Sequence, residues 1–451
     1  MKKILTLLIV IALLIVLFCS CSEKQELKGD SPKHEISSEK KKISVLFTKS
    51  DSGFLIHEYR FNIAKRILEE TYGIEVERYY VPGYEDSTEN LYQYEPRGVF
   101  YEKLYAEMIA GKGPDVFLFG AYGTFFDLYK KFDAGAFYDL NEFIENDEDF
   151  DIDEYEDILL DVGVYKGKRY LFPITYGIKP LLISKSKFEN LNLSVEDFST
   201  YDRFVSTWDS IQKDGTLKFL ANTGYWSEFL CYEGWLEECI DYEAGTVDFS
   251  LPAFQNIVEI MQTEYMLDNN SDPLAEFETY EDSLFYVSGF ISLMFTPFYD
   301  FDATDVMMIP VPNSSGNNTA QVMDCFMISS ASKNPDAAWL FVKAMLSDAA
   351  QREMMNIQSS HYVSTKSALI DESIETIISL STYEWLPEYI PDEALTGRIK
   401  ELHHNYDNAV IPFVNTQDLY QKIENYIKDN DRDIDSLRTE LENYYRLYLS
   451  E

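Results

Sequence analysis

The chain has 451 residues, of which 46% are hydrophobic, and it carries a formal net charge of −40. This apolar content is enough to fill two ordinary domains and argues against global disorder. The excess of acidic residues excludes nucleic acid and anionic lipid surfaces as natural partners, because both would repel the protein.

The amino terminus has the pattern of a secretory signal. Lys2 and Lys3 precede an apolar run that ends at Phe18 and is too short for a typical membrane-spanning helix. Ser20 and Cys21 follow, and this junction resembles a bacterial lipobox, in which a small residue precedes the cysteine that is acylated. Phe18 departs from that pattern, which usually has Leu three residues before the cysteine. The junction therefore predicts a lipid anchor.

We expect residues 1–20 to be a lipoprotein signal peptide and Cys21 to be the lipidation site. Two acyl chains on one cysteine are enough for stable anchoring. An ordinary signal peptide with incidental cysteines is the alternative. Residues 21–42 are rich in charge and poor in apolar side chains, which predicts a flexible tether. The body would then work at the outer face of the cytoplasmic membrane, reached through the lipid anchor alone.

The cysteines beyond the tether indicate a fold without disulfides. They are Cys231, Cys239 and Cys325, an odd number without metal-ligand spacing. Cys231 and Cys239 would be more than two turns apart on one helix, too far for a disulfide. An exported chain that avoids disulfides suggests a Gram-positive or anaerobic host.

The body opens with alternating strands and helices. A buried strand "KISVLFT" leads into a helix, "HEYRFNIAKRILEETYG", which ends at Gly73. An alternating strand "IEVERYYV", a helix "VFYEKLYAEMIAGKG" and a strand "PDVFLFG" follow. This order predicts the start of a doubly wound α/β domain.

The rest of the chain mixes extended and helical segments. Gly167 is predicted in a hairpin turn, before an extended segment through Pro173 and Pro180. A long helical region is expected from about Ser206 to Met266. The later strands are predicted in "FISLMF", "VMMIPVP" and "QVMDCFMISS", and they precede the helix "NPDAAWLFVKAMLSD" and a mostly helical tail.

Four stretches resemble the extracellular solute-binding proteins, family 1, which serve ABC-type carbohydrate importers and include the maltose-binding protein. They are "AGKGPDVFLFG", "YLFPITYGIKPLLISKSKFE", "FYVSGFISLMFTPFY" and the stretch from "VMMIPVP" to "AQREM". Ser184 stands where Asn is common in the family, and residues 288–291 replace its usual Gly-Lys-x-Ala. Their order and spacing cover almost the whole mature chain, so the resemblance applies to the body as a whole.

The resemblance implies an α/β, two-lobed periplasmic-binding-protein-like fold. Each lobe would be a mixed or parallel sheet flanked by helices, with the ligand in a cleft between the lobes. Lobe one would comprise residues 43–173 plus 312–352, and lobe two residues 174–309 plus 353–451. The chain would cross between them near Ile174–Ile178 and Ile309–Pro312.

The resemblance also implies a function. The protein would be a monomeric binding protein rather than an enzyme, and it would need no cofactor. It would capture a carbohydrate, most simply an oligosaccharide, and deliver it to the permease subunits of an ABC transporter. The alternative is a lipid-anchored glycoside hydrolase, since 78 acidic residues could supply two catalytic carboxylates.

Sugars are held by aromatic rings stacked on their apolar faces and by polar groups that bond their hydroxyls. The residues that the resemblance and the strand ends place at the cleft are Lys49, Asp51, Tyr122, Tyr176, Tyr225, Trp226, Phe298 and Tyr299. Thr175, next to Tyr176, lies in the same crossing segment. Three alternatives stay open: Lys49 and Asp51 in a solvated turn, Tyr176 in a hinge core, and Trp226 as a core tryptophan.

Residues 429–440 contain half of a calcium-binding loop. Asp429, Asp431 and Asp433 alternate and Glu440 is twelfth, but Ile434 occupies the position that needs Gly. The simpler interpretation is a helix capped by Asp435 whose apolar stripe is Leu437, Leu441, Tyr444 and Tyr448. No metal site is therefore predicted.

Overall fold

A computed structural model describes residues 41–47, 56–83, 97–120, 128–178, 180–211, 218–221, 234–268, 283–287, 305–356, 363–384, 393–411, 416–428 and 433–450. The strands are β1 (Lys42–Phe47), β2 (Glu75–Arg78), β3 (Val116–Gly120), β4 (Val164–Tyr165), β5 (Lys168–Arg169), β6 (Phe172–Gly177), β7 (Pro180–Ser184), β8 (Lys218–Ala221), β9 (Ile240–Asp241), β10 (Thr246–Val247), β11 (Ser283–Val287), β12 (Val306–Pro310), β13 (Asn318–Ile328), β14 (Val363–Ser364) and β15 (Tyr406–Val410).

The helices are numbered in the same way. They are α1 (Ile56–Ile67), α2 (Arg97–Ile109), α3 (Leu128–Asp133), α4 (Asn141–Asn146), α5 (Asp157–Asp161), α6 (Lys185–Asn190), α7 (Tyr201–Ile211), α8 (Trp235–Cys239), α9 (Pro252–Asp268), α10 (Pro335–Leu346), α11 (Asp348–Met355), α12 (Ile370–Glu384), α13 (Glu393–His404), α14 (Thr416–Lys428) and α15 (Ile434–Ser450). In the described ranges, no helix is both long enough and apolar enough to cross a membrane.

The predicted opening of the body is confirmed. Strand β1 lies between β2 and β3 and is parallel to both, with Ile43 opposite Val76 and Leu46 opposite Phe117. Helix α1 continues as one wider turn and stops at Gly73, whose φ of +65° suits a residue without a Cβ. Every β1 residue from Ile43 onward except Ser44 is buried. Both faces of this strand are therefore covered, as expected for a parallel sheet flanked by helices.

The large sheet has seven strands in the order β14, β6, β13, β3, β1, β2, with β15 also paired to β13. Strand β13 runs antiparallel to β3 and β6 and parallel to β15. Both β14 and β15 come from the tail that was predicted to belong to lobe two. Strand pairing therefore brings parts of that tail into the large sheet, which sequence order does not reveal.

The small sheet has four strands in the order β12, β7, β11, β8. Strand β7 is antiparallel to β11 and β12, whereas β8 and β11 are parallel. The chain passes from the large to the small sheet between Gly177 and Pro180, and it returns between Pro310 and Asn318. The predicted crossovers lie within a few residues of these two connections, and the exact lobe boundaries stay a prediction.

The expected long helical region from Ser206 to Met266 is wrong. The chain instead forms α7, the strand β8, the short helix α8, a β9–β10 hairpin and α9. Gly234 and Gly245 explain the breaks before α8 and in the β9–β10 hairpin, because their φ angles of +86° and +66° lie outside the helical region. The predicted hairpin turn at Gly167 is confirmed, with Val164 paired to Arg169.

The apolar core has one cluster on the small sheet, two on opposite sides of the large sheet and a fourth where the sheets meet. The fourth contains Tyr176 and Ala320 from the large sheet together with Leu182 and Met308 from the small one. Helices α12 and α13 cover it through residues such as Ile374 and Ile399. Strands of both sheets therefore share one packed core.

Helix α15 differs from the sequence prediction in its cap and in its buried stripe. Helix α15 is capped by Asp433, whose carboxylate accepts the Ser436 N–H at 2.7 Å, and not by Asp435. Its buried stripe is Leu437, Leu441 and Tyr445, since Tyr444 is only partly buried. Asp429 and Asp431 lie outside the described residues. Cys239 and Cys325 are buried and form no disulfide.

Candidate functional site

The carboxyl ends of β1 and β3 lie side by side at one edge of the large sheet. The strands are parallel neighbours, with Phe47 opposite Leu118. Lys49 and Asp51 follow β1 along the chain and Tyr122 follows β3; all three lie outside the described residues. Because open α/β sheets bind ligands beyond the carboxyl ends of their strands, this edge is the candidate ligand surface of the large sheet.

The small sheet has a corresponding edge. Its parallel strands β8 and β11 pair Leu220 with Phe285 and Ala221 with Tyr286, so both end at the same side. Four predicted ligand contacts follow these strands along the chain and lie outside the described residues: Tyr225, Trp226, Phe298 and Tyr299. The predicted strand "FISLMF" also lies outside the described residues, together with Phe298 and Tyr299. Each sheet thus has one pair of parallel strand ends that leads to predicted contacts.

A buried charged network lies next to the end of β3. Asp324 of β13 is paired opposite Gly120, the last residue of that strand. Its carboxylate forms an ion pair with the Arg60 guanidinium of α1, and these side chains are only 4% and 1% exposed. The Thr175 hydroxyl donates to the same carboxylate oxygen at 2.5 Å. This network therefore joins helix α1 to strands β6 and β13. It lies beside Gly120, the residue at which the chain leaves β3 toward Tyr122.

The ion pair gives this edge of the sheet a fixed geometry. Removing two charges from water is costly, and the mutual attraction offsets that cost only while both partners are present. The sequence contained a signal for it, because Asp324 is the only charged residue in the apolar run "QVMDCFMISS". A buried acid requires a partner, but sequence reasoning cannot tell that the partner is Arg60, 264 positions away.

Tyr176 is the one predicted ligand residue within the described structure, and it is fully buried. Its hydroxyl donates to the His403 carbonyl oxygen at 3.0 Å, and its ring centroid is 5.5 Å from that of Tyr406. Burial raises the pKa of Tyr176 well above its usual value. This arrangement corresponds to the hinge-core alternative, since Tyr176 packs where the two sheets meet; a ligand contact from it stays a prediction.

The turn in the second connection is held by the Asn313 side chain. Its Oδ1 accepts the Gly316 N–H at 2.7 Å, and its Nδ2 donates to Thr319 Oγ1 at 3.1 Å. The Asp407 carboxylate accepts from Ser315 Oγ at 3.0 Å and from Asn317 Nδ2 at 2.8 Å. Side-chain hydrogen bonds thus fix the conformation of this turn, through which the chain returns from the small sheet to the large one.

Glu237 on α8 is a further polar group that sequence reasoning missed. Its side chain is exposed, yet desolvation of its carboxyl group by surrounding protein raises the pKa to about 7, and the neighbouring Glu238 adds to this. In the part of the chain that is described, no three His, Cys, Asp or Glu side chains come together as a metal site.

Comparisons with solved structures agree with this architecture. The sugar-binding protein MalE from Xanthomonas citri superposes with a TM-score of 0.59 at 14% identity, over 91% of this chain and 97% of that one. Apo RafE from Streptococcus pneumoniae gives 0.57 at 15% identity, over 92% and 99%. The substrate-binding protein Lmo0181 from Listeria monocytogenes, solved with cycloalternan, gives 0.55 at 13% identity, over 91% and 100%. At these identities the likeness shows the fold, which is that of a two-lobed binding protein.

The sequence comparison identifies the family. No curated protein sequence matches the chain. Residues 64–352 match the family described as bacterial extracellular solute-binding protein, and this range is well over half of the chain. The chain therefore belongs to the bacterial extracellular solute-binding protein family, as its motifs predict.

Proposed function

We propose that this protein is the extracytoplasmic substrate-binding lipoprotein of an ABC importer, and that it captures an oligosaccharide between its two lobes. The observation that carries the proposal is the family match over residues 64–352. The ligand class is supported by similar structures whose partners are cycloalternan and raffinose. The protein would act by binding and release, without catalysis and without a cofactor.

The ligand would be held from both lobes. Lys49, Asp51 and Tyr122 would contribute from the large sheet, and Tyr225, Trp226, Phe298 and Tyr299 from the small sheet. The parallel strand ends support this assignment, because each group follows the carboxyl ends of neighbouring strands. Aromatic rings would bury the apolar faces of the sugar rings, while the charged groups would bond the hydroxyls.

Delivery requires an anchor and a change in shape. Diacylated Cys21 would hold the monomer at the outer face of the cytoplasmic membrane, and the tether of residues 21–42 would let it reach the permease. Ligand would favour a closed arrangement because it gains contacts from both lobes only there. Release to the permease would then accompany opening.

A thermal-shift screen of the purified full chain tests the proposal. The panel would contain cycloalternan, raffinose, maltotriose and chitin oligosaccharides, with free glucose and lactate as controls. At least one oligosaccharide should raise the melting temperature, since a ligand that binds only the folded state stabilises it. A panel without any shift, or chromatography that shows the sugar cleaved, would contradict the proposal, and cleavage would favour the glycoside hydrolase.

A further inference from the structure

Strand β2 adds a third parallel strand end to the candidate ligand edge of the large sheet. Arg78 is its last residue and lies opposite Val45 of β1, and the Tyr79 N–H donates to the Val45 carbonyl oxygen at 2.8 Å. Strands β1, β2 and β3 therefore end on the same side of the sheet. Arg78 thus lies at the edge from which the chain leads on toward Lys49 and Tyr122.

The Arg78 guanidinium contacts two aromatic rings. Its central carbon lies 4.2 Å from the centroid of the Phe47 ring and 4.9 Å from that of the Tyr80 ring. Phe47, the last residue of β1, is buried and packs against Phe61 of α1, whereas Tyr80 is exposed. A cation–π contact stabilises the charge without using any N–H donor. The two rings therefore hold the guanidinium at the strand ends but do not satisfy its hydrogen bonds.

Arg78 also has no polar partner in the part of the chain that the structure describes. Its Nε is buried and makes no hydrogen bond, and no ion pair there includes its guanidinium. Arg169 donates to the Leu160 carbonyl oxygen. The other arginines whose side chains are described all pair with a carboxylate: Arg60, Arg66, Arg203, Arg352, Arg398, Arg438 and Arg446. In a chain with 78 acidic residues, Arg78 is the exception.

This arrangement suits an anionic group supplied from outside the protein. Of the three guanidinium nitrogens only Nε is buried without a partner, so Nη1 and Nη2 remain accessible. They form a planar fork that matches two oxygens of a carboxylate or a phosphate. Because the side chain is partly buried, salt screens its charge less than that of a fully exposed group.

We propose that Arg78 binds an anionic substituent of the captured sugar, so that the ligand is an acidic oligosaccharide, most simply one that contains a uronic acid. The inference rests on the proposed function, because it takes this edge of the sheet as the place where the oligosaccharide binds. The net charge of −40 repels an acidic ligand, but salt screens distant charges beyond about 8 Å, which leaves a local cation to decide. Neutral counterparts of the ligand lack the charge-assisted bonds and bind about tenfold to hundredfold more weakly.

Nuclear magnetic resonance of the guanidinium tests the inference before the natural ligand is known. The full chain, with arginine labelled in ¹³C and ¹⁵N, is titrated with glucuronate, glucose 6-phosphate and glucose, and an Arg78→Lys variant identifies the Arg78 resonance. Glucuronate should shift this resonance saturably and glucose should not. Arg66, which is exposed and paired with Glu353, provides an internal control whose resonance should not move.

Each outcome of the titration is decisive. A shift with glucose 6-phosphate alone would support the anion site and identify its occupant as a sugar phosphate. An Arg78 resonance that neither anion moves would overturn the inference.

Matched oligosaccharides show whether the site sets ligand affinity. Isothermal titration compares trigalacturonate and a hyaluronan tetrasaccharide with their methyl esters, which keep the rings and lose the charge. The wild type and Arg66→Gln should prefer an acid to its ester by about tenfold to hundredfold. Arg78→Gln should bind both forms equally, and Arg78→Lys should keep part of the preference, because it keeps the charge and loses the planar fork. Thermal melting confirms that each variant is folded.

Failure of the inference differs from failure of the proposed function. Equal affinity of the wild type for acid and ester, or binding of neutral sugars alone, would overturn the acidic ligand and leave the proposed function intact. A chain that binds no sugar of either kind would contradict the proposed function itself.

Discussion

Asp324 shows how strongly one buried charge can affect the stability of the fold. Its replacement by Leu would leave the Arg60 guanidinium buried without a counter-ion, so we expect the free energy of unfolding to fall by about 3–5 kcal/mol. The Arg60→Met, Asp324→Leu double variant should recover most of this loss, because both desolvation costs are then absent. Urea denaturation of the three proteins measures the difference. A single variant as stable as the wild type would show that the pair contributes nothing to the edge of the sheet.

A surface ion pair provides the matched control. Arg66 and Glu353 also join α1 to a distant helix, at 2.5 Å, but their side chains are 50% and 47% exposed. Water and salt screen such a pair, so Glu353→Gln should change the unfolding free energy by less than about 1 kcal/mol. The contrast between the two pairs separates the effect of burial from the effect of charge.

Two tryptophans nine positions apart should behave in opposite ways. Trp226→Ala is expected to weaken ligand binding by about tenfold to a hundredfold, the equivalent of roughly 1–3 kcal/mol of lost apolar contact, with little effect on melting. Trp235 is fully buried in the core of the small-sheet lobe, so Trp235→Ala should lower the unfolding free energy by about 3–5 kcal/mol. Calorimetric titration of both variants measures the loss of binding, and thermal melting of both measures the loss of stability. Unfolding of Trp226→Ala would instead identify it as a core residue.

At the scale of the element, the last turn of α13 carries a pH-sensitive group. His403 is buried, its Nδ1 lies 2.9 Å from the Ile399 carbonyl oxygen, and burial lowers its pKa to about 4 from the ordinary 6.5. The unfolded chain therefore binds a proton more readily than the folded one between these two values. The stability of the fold should be undiminished above pH 6.5 and should fall by roughly 3 kcal/mol as the pH drops toward 4.

A variant isolates this contribution from that of the many carboxylates. His403→Leu has no titratable ring, so its unfolding free energy should decline less steeply than that of the wild type between pH 6.5 and 4. His404→Leu, which removes an exposed ring 3.0 Å from Asp371, serves as the neighbouring control. Parallel pH curves for His403→Leu and the wild type would show that His403 is not held neutral by the fold.

Elements with a strong local pattern were predictable and elements defined by distant partners were not. The opening strands and helices followed from apolar periodicity and from Gly73, and the β4–β5 hairpin from Gly167. Strands β14 and β15 are too short or too polar to show such a pattern, and they exist because β6 and β13 offer free pairing edges. The long helical region expected from about Ser206 to Met266 failed because strand β8 and the β9–β10 hairpin lie within it, and because Gly234 and Gly245, which have positive φ angles, interrupt it further along.

The same contrast between local sequence patterns and distant contacts applies to the candidate site. The strand ends that lead to Lys49 and Tyr122 could be predicted, because apolar patterns identify β1 and β3. The end of β8, which leads toward Trp226, could not, because that strand lies in the region that was expected to be helical. The pairing of Arg60 with Asp324 could not, because it depends on three-dimensional contact between residues far apart in the sequence.

For the whole molecule, we expect location to depend on residues 1–21, the predicted signal peptide and lipidation site. Cys21→Ala should release the protein from the membrane fraction, because the acyl chains would have no attachment point. Fractionation of cells that express the wild type and the variant measures this, and Cys19→Ala is the adjacent control that should stay membrane-bound. A Cys21→Ala protein that remains in the membrane fraction would show that the anchor is something other than a lipid on this cysteine.

We propose that the two lobes bind a carbohydrate and release it chemically unchanged. Isothermal titration of the purified full chain with the oligosaccharide that gives the largest thermal shift tests it most directly, provided that the sugar is then recovered and chromatographed. We expect saturable heat with one ligand per chain, a negative heat-capacity change from buried apolar surface, and an intact sugar. Heat that never saturates, or a sugar recovered as shorter products, would contradict it.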